Sequence, residues 1–344
     1  MPVLVFGDKQ AVNVAGYVAA ISGHEVILSS PERTDVRAVQ VQGELIEVSI
    51  SHADAGEVVD RPFDSAIIIT ESRKLRALIE PQRHLLSGKP LLLAPGGFGG
   101  VLRVKRWFEE WGIVPPRVAE APGFPVSGTV RDAVLWSHTL KHSLPVAADA
   151  QGETEALLGI FSALLPELVA SDLQTTSLSN TNHMIHPSVV LLNAIRVENG
   201  EEFSFYRSGI SPAVGRLIES VDHERVEIAR QIGAEPLNVC EWMLRFYGDE
   251  GMHGDSIIEC LSGFPNFDHV PSPPGLDYRY VGDDVPYGVA QWAALAHQLG
   301  IKTPAMDGLL NNLGNLSAGT PFEAEQETAE LFQEFLAITK GVAL

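Results

Sequence analysis

Short apolar runs alternate with longer stretches of helical periodicity through the first half of the chain. Apolar runs bounded by Gly, Pro or Asp predict buried strands, and apolar positions three and four residues apart predict amphipathic helices. The predicted strands are residues 2–6, 25–29, 65–70 and 90–94, with edge strands at 117–120 and 133–137, and the predicted helices are residues 10–22, 73–86, 101–111 and 153–164. This alternation favours a mostly parallel sheet that carries helices on both faces.

The pattern changes after about residue 178, where strand signals nearly vanish and helical periodicity continues. The predicted helices are residues 187–197, 212–232, 238–247, 287–299, 305–314 and 328–338. The Pro/Gly-rich residues 263–275 predict a long ordered loop, and the acidic residues 323–330 predict a solvated helix start. We therefore predict an α/β domain over residues 1–178, a Rossmann-type doubly wound parallel sheet, and an all-α domain over residues 179–344.

Charge and hydropathy narrow the classes of partner. The 344 residues carry a formal net charge of −20, which repels nucleic acid and anionic lipid headgroups, so neither is expected as a partner. An anionic substrate must then be attracted by a local basic group. No apolar run is long enough for a membrane span, and the interrupted apolar N-terminus is typical of a strand, turn and helix rather than a signal peptide.

The cysteine content adds an expectation about the compartment. Cys240 and Cys260 form no disulfide framework and have no metal-ligand spacing. A reduced, cytoplasmic protein is therefore expected. A homodimer is compatible with the sequence, which does not define the oligomeric state.

The loop after the first predicted strand departs from the dinucleotide-binding pattern. In a Rossmann unit this turn carries G-x-G-x-x-G, whose glycines allow a tight turn, backbone approach to pyrophosphate and close helix packing. Here only Gly7 remains, Asp8 adds a negative charge, and Lys9 and Gln10 follow. Two interpretations stay open: the cofactor site is weakened or lost, or Lys9 contacts phosphate directly, with Gly7 and Gln10 beside it.

Two further segments contain candidate cofactor contacts. The second strand ends in Ser29 and Ser30, with Arg33 nearby, where an NAD site usually has an acidic residue. Two hydroxyls and an arginine accommodate a 2′-phosphate, so NADP(H) is favoured over NAD(H), and a plain polar turn is the alternative. Gly96 and Gly97 follow the fourth strand, where a loop can contact a nicotinamide or form a tight turn before the next helix.

His186 is the best candidate for proton transfer. It precedes Pro187, which suits the first turn of a helix, and residues 180–182 are good capping types. Histidine titrates near neutral pH, and a carboxylate such as Asp284 can orient its ring; a packing histidine is the alternative. The spacing His183-x-x-His186 suits a shared metal ion, but no third ligand follows nearby, so no metal site is predicted.

The second half of the chain resembles the opine dehydrogenase family, which contains the octopine and nopaline dehydrogenases and their bacterial relatives. The shared motifs are NHMIHP at residues 182–187, LLN at 191–193, FY at 205–206, GISP at 209–212, D-x-ER at 222–225 and DVPYG at 284–288. They occur in the order typical of the family and span most of residues 178–322. The first half is similar in layout but lacks the glycine pattern.

The resemblance implies a Rossmann domain joined to a helical domain, with the active site in the cleft between them. It implies that an amino acid and a 2-oxo acid condense to an imine, which NAD(P)H reduces to a secondary amine. In this resemblance His186 is the general acid/base and Asp284 is its carboxylate partner. Arg279 binds a substrate carboxylate by bidentate hydrogen bonds, and Asn182 and Tyr206 are further substrate-binding candidates.

The altered glycine loop keeps a second function class open. The first hypothesis is an NADP-dependent opine-type dehydrogenase or imine reductase, in which Lys9 and Arg33 replace phosphate recognition by backbone alone. The second is a non-redox enzyme on the same scaffold, which uses His186, Asp284 and Arg279 for a condensation, cyclisation or elimination. A binding protein without catalysis is a third and less favoured class.

Overall fold

The chain folds into two compact units, Met1–Ser177 and Leu178–Leu344. The computed structural model describes residues 2–32, 35–54, 59–268, 270–316 and 327–339. Arg33 and residues 323–326 of the predicted acidic helix start lie outside the described residues. Across the described ranges, no helix combines the length and the apolar character that a membrane crossing requires.

In the first unit, strands and helices alternate along the chain. Its strands are β1 (Val3–Gly7), β2 (Val26–Ser29), β3 (Ala38–Val41), β4 (Glu44–Glu47), β5 (Ile50–Ala53), β6 (Ser65–Ile69), β7 (Pro90–Leu93), β8 (Arg117–Glu120), β9 (Val126–Arg131), β10 (Val134–Leu140), β11 (Leu144–Val146) and β12 (Leu168–Ala170). Its helices are α1 (Lys9–Ser22), α2 (Leu75–Leu86), α3 (Gly100–Glu110), α4 (Gln151–Phe161) and α5 (Leu173–Leu178).

A six-stranded parallel sheet forms the centre of the first unit, in the order β5-β2-β1-β6-β7-β8. The strand order reverses at β1, as in the doubly wound Rossmann arrangement. Every residue of β1 and β6 is buried, which explains why these strands appear in the sequence as continuous apolar runs. The predicted fold class of the first half is confirmed by this topology.

A second sheet, in the order β4-β3-β10-β9, packs against α1. The prediction of an edge strand at residues 133–137 is wrong, because β10 pairs with β3 on one side and with β9 on the other. Helix α1 comes so close to this sheet that a Cβ atom on Gly16 would lie 2.9 Å from Cδ2 of Leu135. Glycine therefore allows this packing.

The regular elements described in the second unit are helices, which confirms the predicted all-α second half. They are α6 (Asn182–Leu192), α7 (Ala194–Glu198), α8 (Pro212–Gln231), α9 (Val239–Tyr247), α10 (Ile257–Gly263), α11 (Arg279–Gly282), α12 (Ala290–Gln298), α13 (Pro304–Leu316) and α14 (Glu327–Thr339). A π-helical turn, Val285–Val289, leads into α12. The predicted helix 187–197 is interrupted at Asn193, between α6 and α7.

A buried ion pair ties α8 to the neighbouring backbone. The Arg225 guanidinium donates to Asp222 Oδ1 at 2.6 Å and to the carbonyl oxygens of Leu178 and Leu237 at 2.8 and 2.6 Å. Asp222 Oδ2 accepts a hydrogen bond from Val239 N at 2.7 Å. A buried ion pair is tolerated when its charged atoms are satisfied in this way, so this part of the D-x-ER motif has a structural role.

The two cysteines are free thiols on neighbouring helices. Cys240 in α9 and Cys260 in α10 have sulfur atoms 3.4 Å apart. Burial raises the pKa of the Cys260 thiol to about 12, and the hydrogen bond with Cys240 contributes to this shift. A thiol with so high a pKa is not a nucleophile at neutral pH.

Candidate functional site

His186 lies inside helix α6 rather than before it. The predicted helix start at Pro187 is wrong, because α6 begins at Asn182 and includes Pro187. Thr181 precedes the helix without a side-chain cap, and Asn180 Nδ2 is hydrogen-bonded to His183 Nε2 at 2.9 Å. Residues three apart on a helix share a face, so His183 and His186 are presented together.

His186 and Asp284 form a buried pair. The imidazole Nδ1 lies 2.7 Å from Asp284 Oδ2, and Nε2 lies 2.9 Å from the hydroxyl oxygen of Tyr206. Because a carboxylate only accepts hydrogen bonds, Nδ1 carries the proton and Nε2 accepts from the Tyr206 hydroxyl. The sequence placed these residues far apart in three motifs, and the fold brings their side chains into direct contact.

The electrostatics of the pair favour a neutral imidazole beside an ionised carboxylate. Burial lowers the pKa of His186, and its contacts with Asp284 only partly oppose this shift. Burial pushes the pKa of Asp284 upwards, but His186, then His183 and Arg279, outweigh burial and lower it overall. A neutral imidazole with Nδ1–H held by a carboxylate has the tautomer that a general base at Nε2 requires.

Aromatic side chains enclose the imidazole. The ring of Tyr280 packs against His186 with centroids 4.0 Å apart, and Phe205 meets it edge-on at 5.7 Å. Tyr206 is also buried and stacks on Phe267 at 4.5 Å. These rings keep bulk water from the pair and strengthen its electrostatic interactions.

Arg279 supplies a cationic group beside the pair. It is the first residue of α11, and its guanidinium carbon lies 5.3 Å from the centre of the Tyr280 ring. Burial lowers the pKa of Arg279, but Asp284 and the neighbouring tyrosines reverse that effect, so the pKa is raised and the group stays charged. Within the described part of the chain, no carboxylate forms an ion pair with it.

His183 is a second buried histidine that borders the pair. Its Nε2 lies 3.8 Å from Asp284 Oδ1, and its Nδ1 has no hydrogen-bond partner among the residues that the structure describes. Burial lowers the pKa of His183 to about 4, so it is neutral. Among the described residues, no group of three His, Cys, Asp or Glu side chains could hold a metal ion. Asn182, the remaining candidate in this unit, is partly buried at the start of α6.

In the first unit, Gly7 forms the tight turn between β1 and α1. Its φ is 140°, and a Cβ atom there would lie 1.9 Å from the carbonyl oxygen of Ile69, so a side chain is excluded. The following Asp8 carboxylate accepts hydrogen bonds from Thr70 Oγ1 at 2.9 Å and Lys74 Nζ at 3.4 Å. This carboxylate, which the sequence marks as repulsive to phosphate, is therefore engaged by a lysine.

The other candidate residues near this turn differ in accessibility. Lys9 is exposed at the first position of α1, whereas Gln10 Oε1 accepts a hydrogen bond from Asn13 Nδ2 at 2.6 Å. Ser29 and Ser30 are buried, and their hydroxyls donate to backbone carbonyl oxygens at 3.2 and 3.4 Å. Each of these hydroxyl oxygens keeps an acceptor lone pair but has committed its proton.

Gly96 and Gly97 lie over a buried carboxyl group that the sequence did not reveal. A Cβ atom on Gly96 would lie 2.6 Å from Cβ of Glu120, and Gly97 has a φ of 70°. Glu120 accepts hydrogen bonds from Ser177 Oγ at 2.7 Å and Val101 N at 3.0 Å. Burial raises the pKa of Glu120 to about 7, against the effect of these hydrogen bonds. The glycine-rich segment is therefore packed on Glu120, which explains Gly96 without a ligand.

Proteins of known function are similar to this chain. The family described as "NAD/NADP octopine/nopaline dehydrogenase, alpha-helical domain" matches residues 169–317. An opine dehydrogenase from Arthrobacter sp. (strain 1C) is 30% identical over 249 residues, which cover 72% of this chain and 68% of that protein. The matched family region includes His186, Tyr206, Arg279 and Asp284.

Solved structures share the fold over nearly the whole chain. An octopine dehydrogenase in complex with NADH and agmatine has a TM-score of 0.74 at 13% identity, covering 100% of this chain and 99% of that chain. A yersinopine dehydrogenase with bound NADP+ has a TM-score of 0.68 at 14% identity, covering 99% of each chain. At this level of identity the structures show a common fold alone.

Proposed function

Because the chain belongs to the opine dehydrogenase family, we propose that it joins an amino acid or amine to a 2-oxo acid through an imine, with NADPH as the preferred hydride donor. The observation that carries the proposal is the buried His186–Asp284 pair, at 2.7 Å, beside the Arg279 guanidinium. This set combines a proton carrier with a binding group for an anionic substrate. Both are needed to condense an amine with a 2-oxo acid.

The His186–Asp284 pair performs the proton transfers of the condensation. The neutral imidazole accepts a proton from the substrate ammonium group, which frees the nitrogen lone pair to attack the ketone carbon. Asp284 stabilises the imidazolium that forms, because its carboxylate accepts the Nδ1–H hydrogen bond. Attack leaves an alkoxide, which takes a proton from the adduct nitrogen to become a hydroxyl. The imidazolium then returns its proton to this hydroxyl, which leaves as water, and the nitrogen lone pair forms the C=N bond of the protonated imine.

Arg279 binds the carboxylate of the 2-oxo acid. A guanidinium donates two parallel hydrogen bonds to a carboxylate, which fixes both the position and the rotation of the substrate. Arg279 is charged, partly buried and without an ion-pair partner among the described residues, so it is available for this contact. In a chain with a net charge of −20, such a local cation attracts an anionic substrate that the overall field repels.

The turn between β1 and α1 fits the phosphates of a dinucleotide. Gly7 makes the tight turn, and the first turn of α1 has no side-chain cap on its backbone N–H groups. Such a helix start binds phosphate, and the exposed Lys9 adds a positive charge. When bound, a reduced nicotinamide supplies the hydride that converts the imine to a secondary amine. Ser29, Ser30 and Arg33 are the proposed 2′-phosphate contacts, and each serine hydroxyl must turn from the carbonyl oxygen that it now contacts before it can donate to the phosphate.

Cofactor titration and a substrate panel test the proposal. NADPH and NADH are titrated separately into the purified chain while cofactor fluorescence is followed, and tighter binding of NADPH is expected. NADPH oxidation is then measured with 2-oxo acids paired with amino acids. His186→Ala is expected to abolish turnover and retain NADPH binding, and His223→Ala, an exposed histidine on α8, is the matched control with wild-type turnover.

The outcomes separate the two enzyme classes. Absence of binding at millimolar NADPH and NADH, above the usual range of Michaelis constants, would exclude hydride transfer and favour the non-redox use of the same residues. Turnover retained in His186→Ala would instead refute the proton-transfer role of this histidine. Equal affinity for the two cofactors would refute the NADP preference alone.

A further inference from the structure

Neither nitrogen of the His186 imidazole is open to a substrate. Nδ1 is hydrogen-bonded to Asp284 at 2.7 Å, and Nε2 is hydrogen-bonded to the Tyr206 hydroxyl at 2.9 Å. All three side chains are buried. A proton that reaches His186 at Nε2 must therefore pass through the Tyr206 hydroxyl, or the tyrosine must first move away.

The Tyr206 segment is held in position by its backbone. The preceding Phe205 N–H donates to the carbonyl oxygen of Val270 at 2.9 Å, and the Gly209 N–H donates to the carbonyl oxygen of Ser204 at 3.0 Å. A Cβ atom on Gly209 would lie 2.3 Å from the Phe205 carbonyl oxygen, so the turn is too tight for a side chain at this position. A backbone shift that moved the Tyr206 hydroxyl away from His186 Nε2 would require this turn to rearrange.

The Tyr206 ring is fixed as firmly as its backbone. It stacks on Phe267 with centroids 4.5 Å apart and packs edge-on against Phe205 at 5.1 Å. Tyr206 as a whole is 8% exposed. The hydroxyl is thus held at Nε2 by contacts on the ring and on the chain that carries it.

The phenol keeps its proton in this environment. Burial raises the pKa of Tyr206 well above its usual value, and the neighbouring Tyr280 and Tyr247 add to the shift. A neutral phenol donates one hydrogen bond and accepts others through its oxygen. Tyr206 can therefore donate to Nε2 while its oxygen accepts from a second group.

We propose that Tyr206 is a catalytic residue whose hydroxyl passes the proton between the substrate and His186 Nε2. The inference rests on the proposed function, because it assigns the path of the proton in that reaction. It replaces direct contact between imidazole and substrate by a two-step relay.

The relay is balanced in atoms and charge. In the first transfer, the substrate ammonium N–H bond breaks, its proton moves to the Tyr206 oxygen, and the original phenol proton moves to His186 Nε2. The nitrogen lone pair then forms the C–N bond to the ketone carbon. The adduct then carries a positively charged nitrogen and an alkoxide, and one N–H proton moves to the alkoxide oxygen to give the adduct hydroxyl. In the second transfer, His186 Nε2 returns its proton to the Tyr206 oxygen while the phenol proton moves to the adduct hydroxyl. The C–O bond breaks, water leaves, and the nitrogen lone pair forms the C=N bond of a protonated imine, which carries the positive charge that the substrate ammonium brought.

Tyr206→Phe tests the relay because it removes one oxygen and keeps the ring. The probes are NADPH and pyruvate, paired with each of the common amino acids in turn. A general acid–base group contributes roughly 100-fold or more to turnover, so kcat is expected to fall by about that factor while the KM values for NADPH, pyruvate and the amino acid stay unchanged. The solvent isotope effect distinguishes the relay from a structural role. In mixtures of H2O and D2O, the dependence of wild-type kcat on the D2O fraction should be that of two transferred protons. The kcat of Tyr206→Phe should not show this dependence.

Tyr247→Phe is the matched control. Tyr247 is a buried tyrosine of the same aromatic cluster, 5.6 Å from Phe267 between ring centroids, and has no described hydrogen bond to His186. Its variant should keep wild-type kcat and isotope effect. Both variants should still unfold in one cooperative thermal transition, since neither loses ring packing, and Tyr206→Phe should have the lower Tm because it leaves the buried Nε2 of His186 without its hydrogen bond.

The possible outcomes distinguish a failure of the relay from a failure of the proposed function. If the wild type oxidises NADPH and Tyr206→Phe retains or exceeds its kcat, the hydroxyl only covers Nε2 and the relay is refuted while the proposed function stands. If none of the pairs of amino acid and 2-oxo acid in the panel leads the wild type to oxidise NADPH, the proposed function is refuted and the relay with it. A wild-type isotope effect from a single proton would also refute the relay.

Discussion

A Cβ atom on Gly288 would lie 2.1 Å from Cγ of His183, so only glycine allows this imidazole to occupy its position. Gly288 belongs to the π-helical turn that follows Asp284, and His183 belongs to α6 one turn before His186. The final glycine of the DVPYG motif therefore controls how closely the Asp284 segment approaches the helix that carries His186. The motif has a packing requirement as well as a carboxylate.

Gly288→Ala should destabilise the second unit and displace His183. The His183 ring cannot easily move away from the added methyl group, because it is buried and its centroid lies 5.4 Å from that of the Trp292 ring. Overpacking of this kind costs about 1–3 kcal/mol in unfolding free energy. Urea unfolding measures the loss. Gly308→Ala is the control, because its Cβ would meet nothing within 4 Å on α13, and it should be neutral or stabilise by up to about 1 kcal/mol.

Buried parallel strands are the part of this fold that the sequence predicts well. Strands β1 and β6 are apolar apart from Ser65 at the start of β6, which is visible in any short window of sequence. The sequence does not predict strand β3, because β3 pairs with a strand that is far away along the chain: Ala38 pairs with Val134, in β10. Strand β4 is mostly exposed and has no apolar run. Long-range pairing leaves no local pattern to read.

The sequence names the candidate site residues but does not predict the contacts between them. His186 and Asp284 were candidates because of motifs 98 residues apart in sequence, and only the fold defines which ring nitrogen meets the carboxylate. Pro187 gave a false helix start, since α6 accepts it in its interior. Glu120 gave no signal at all, because a glutamate at a strand end is ordinary unless its burial is known.

Asp284→Asn should reduce kcat far more than it changes substrate binding. The amide can donate to Nδ1 and so favour the wrong imidazole tautomer, and it cannot stabilise an imidazolium by charge. General acid–base catalysis contributes roughly 10²- to 10⁴-fold, which sets the expected loss in kcat. Steady-state kinetics with the amino acid and the 2-oxo acid as the varied substrates, at saturating NADPH, measures both kcat and KM. An Asp284→Asn variant with wild-type kcat would remove the carboxylate from the proton-transfer step.

Arg279→Gln should raise KM for the 2-oxo acid. A hydrogen bond to a charged group contributes about 1.5–3 kcal/mol, which corresponds to a 10- to 100-fold increase in KM. The KM of Arg279→Lys for the 2-oxo acid should lie between those of Arg279→Gln and the wild type, because lysine keeps the charge and loses the bidentate geometry. Arg245→Gln, at an exposed position of α9, is the matched control and should leave KM unchanged. An unchanged KM in Arg279→Gln would assign carboxylate binding to another group.

Lys9→Gln should weaken NADPH and NADH to a similar extent. Both cofactors carry the pyrophosphate that Lys9 is proposed to contact, so one lost charge-assisted hydrogen bond should raise each dissociation constant about 10-fold. Fluorescence titration measures both constants. Lys302→Gln, an exposed lysine of the second unit, is the control for a change in net charge. Unaltered affinity in Lys9→Gln would return phosphate recognition to the backbone of α1 alone.

Glu120→Gln should flatten the pH dependence of stability. Burial raises the pKa of Glu120 from 4.5 to about 7, so the folded protein binds this proton more tightly than the unfolded chain does. The stabilising contribution is therefore complete below pH 4.5 and is lost as the pH rises through 7, by about 3 kcal/mol. Urea unfolding at a series of pH values should show this decline in the wild type and lack it in Glu120→Gln. Glu109→Gln, at an exposed position of α3, should follow the wild type. An identical decline in Glu120→Gln would mean that another group carries the proton.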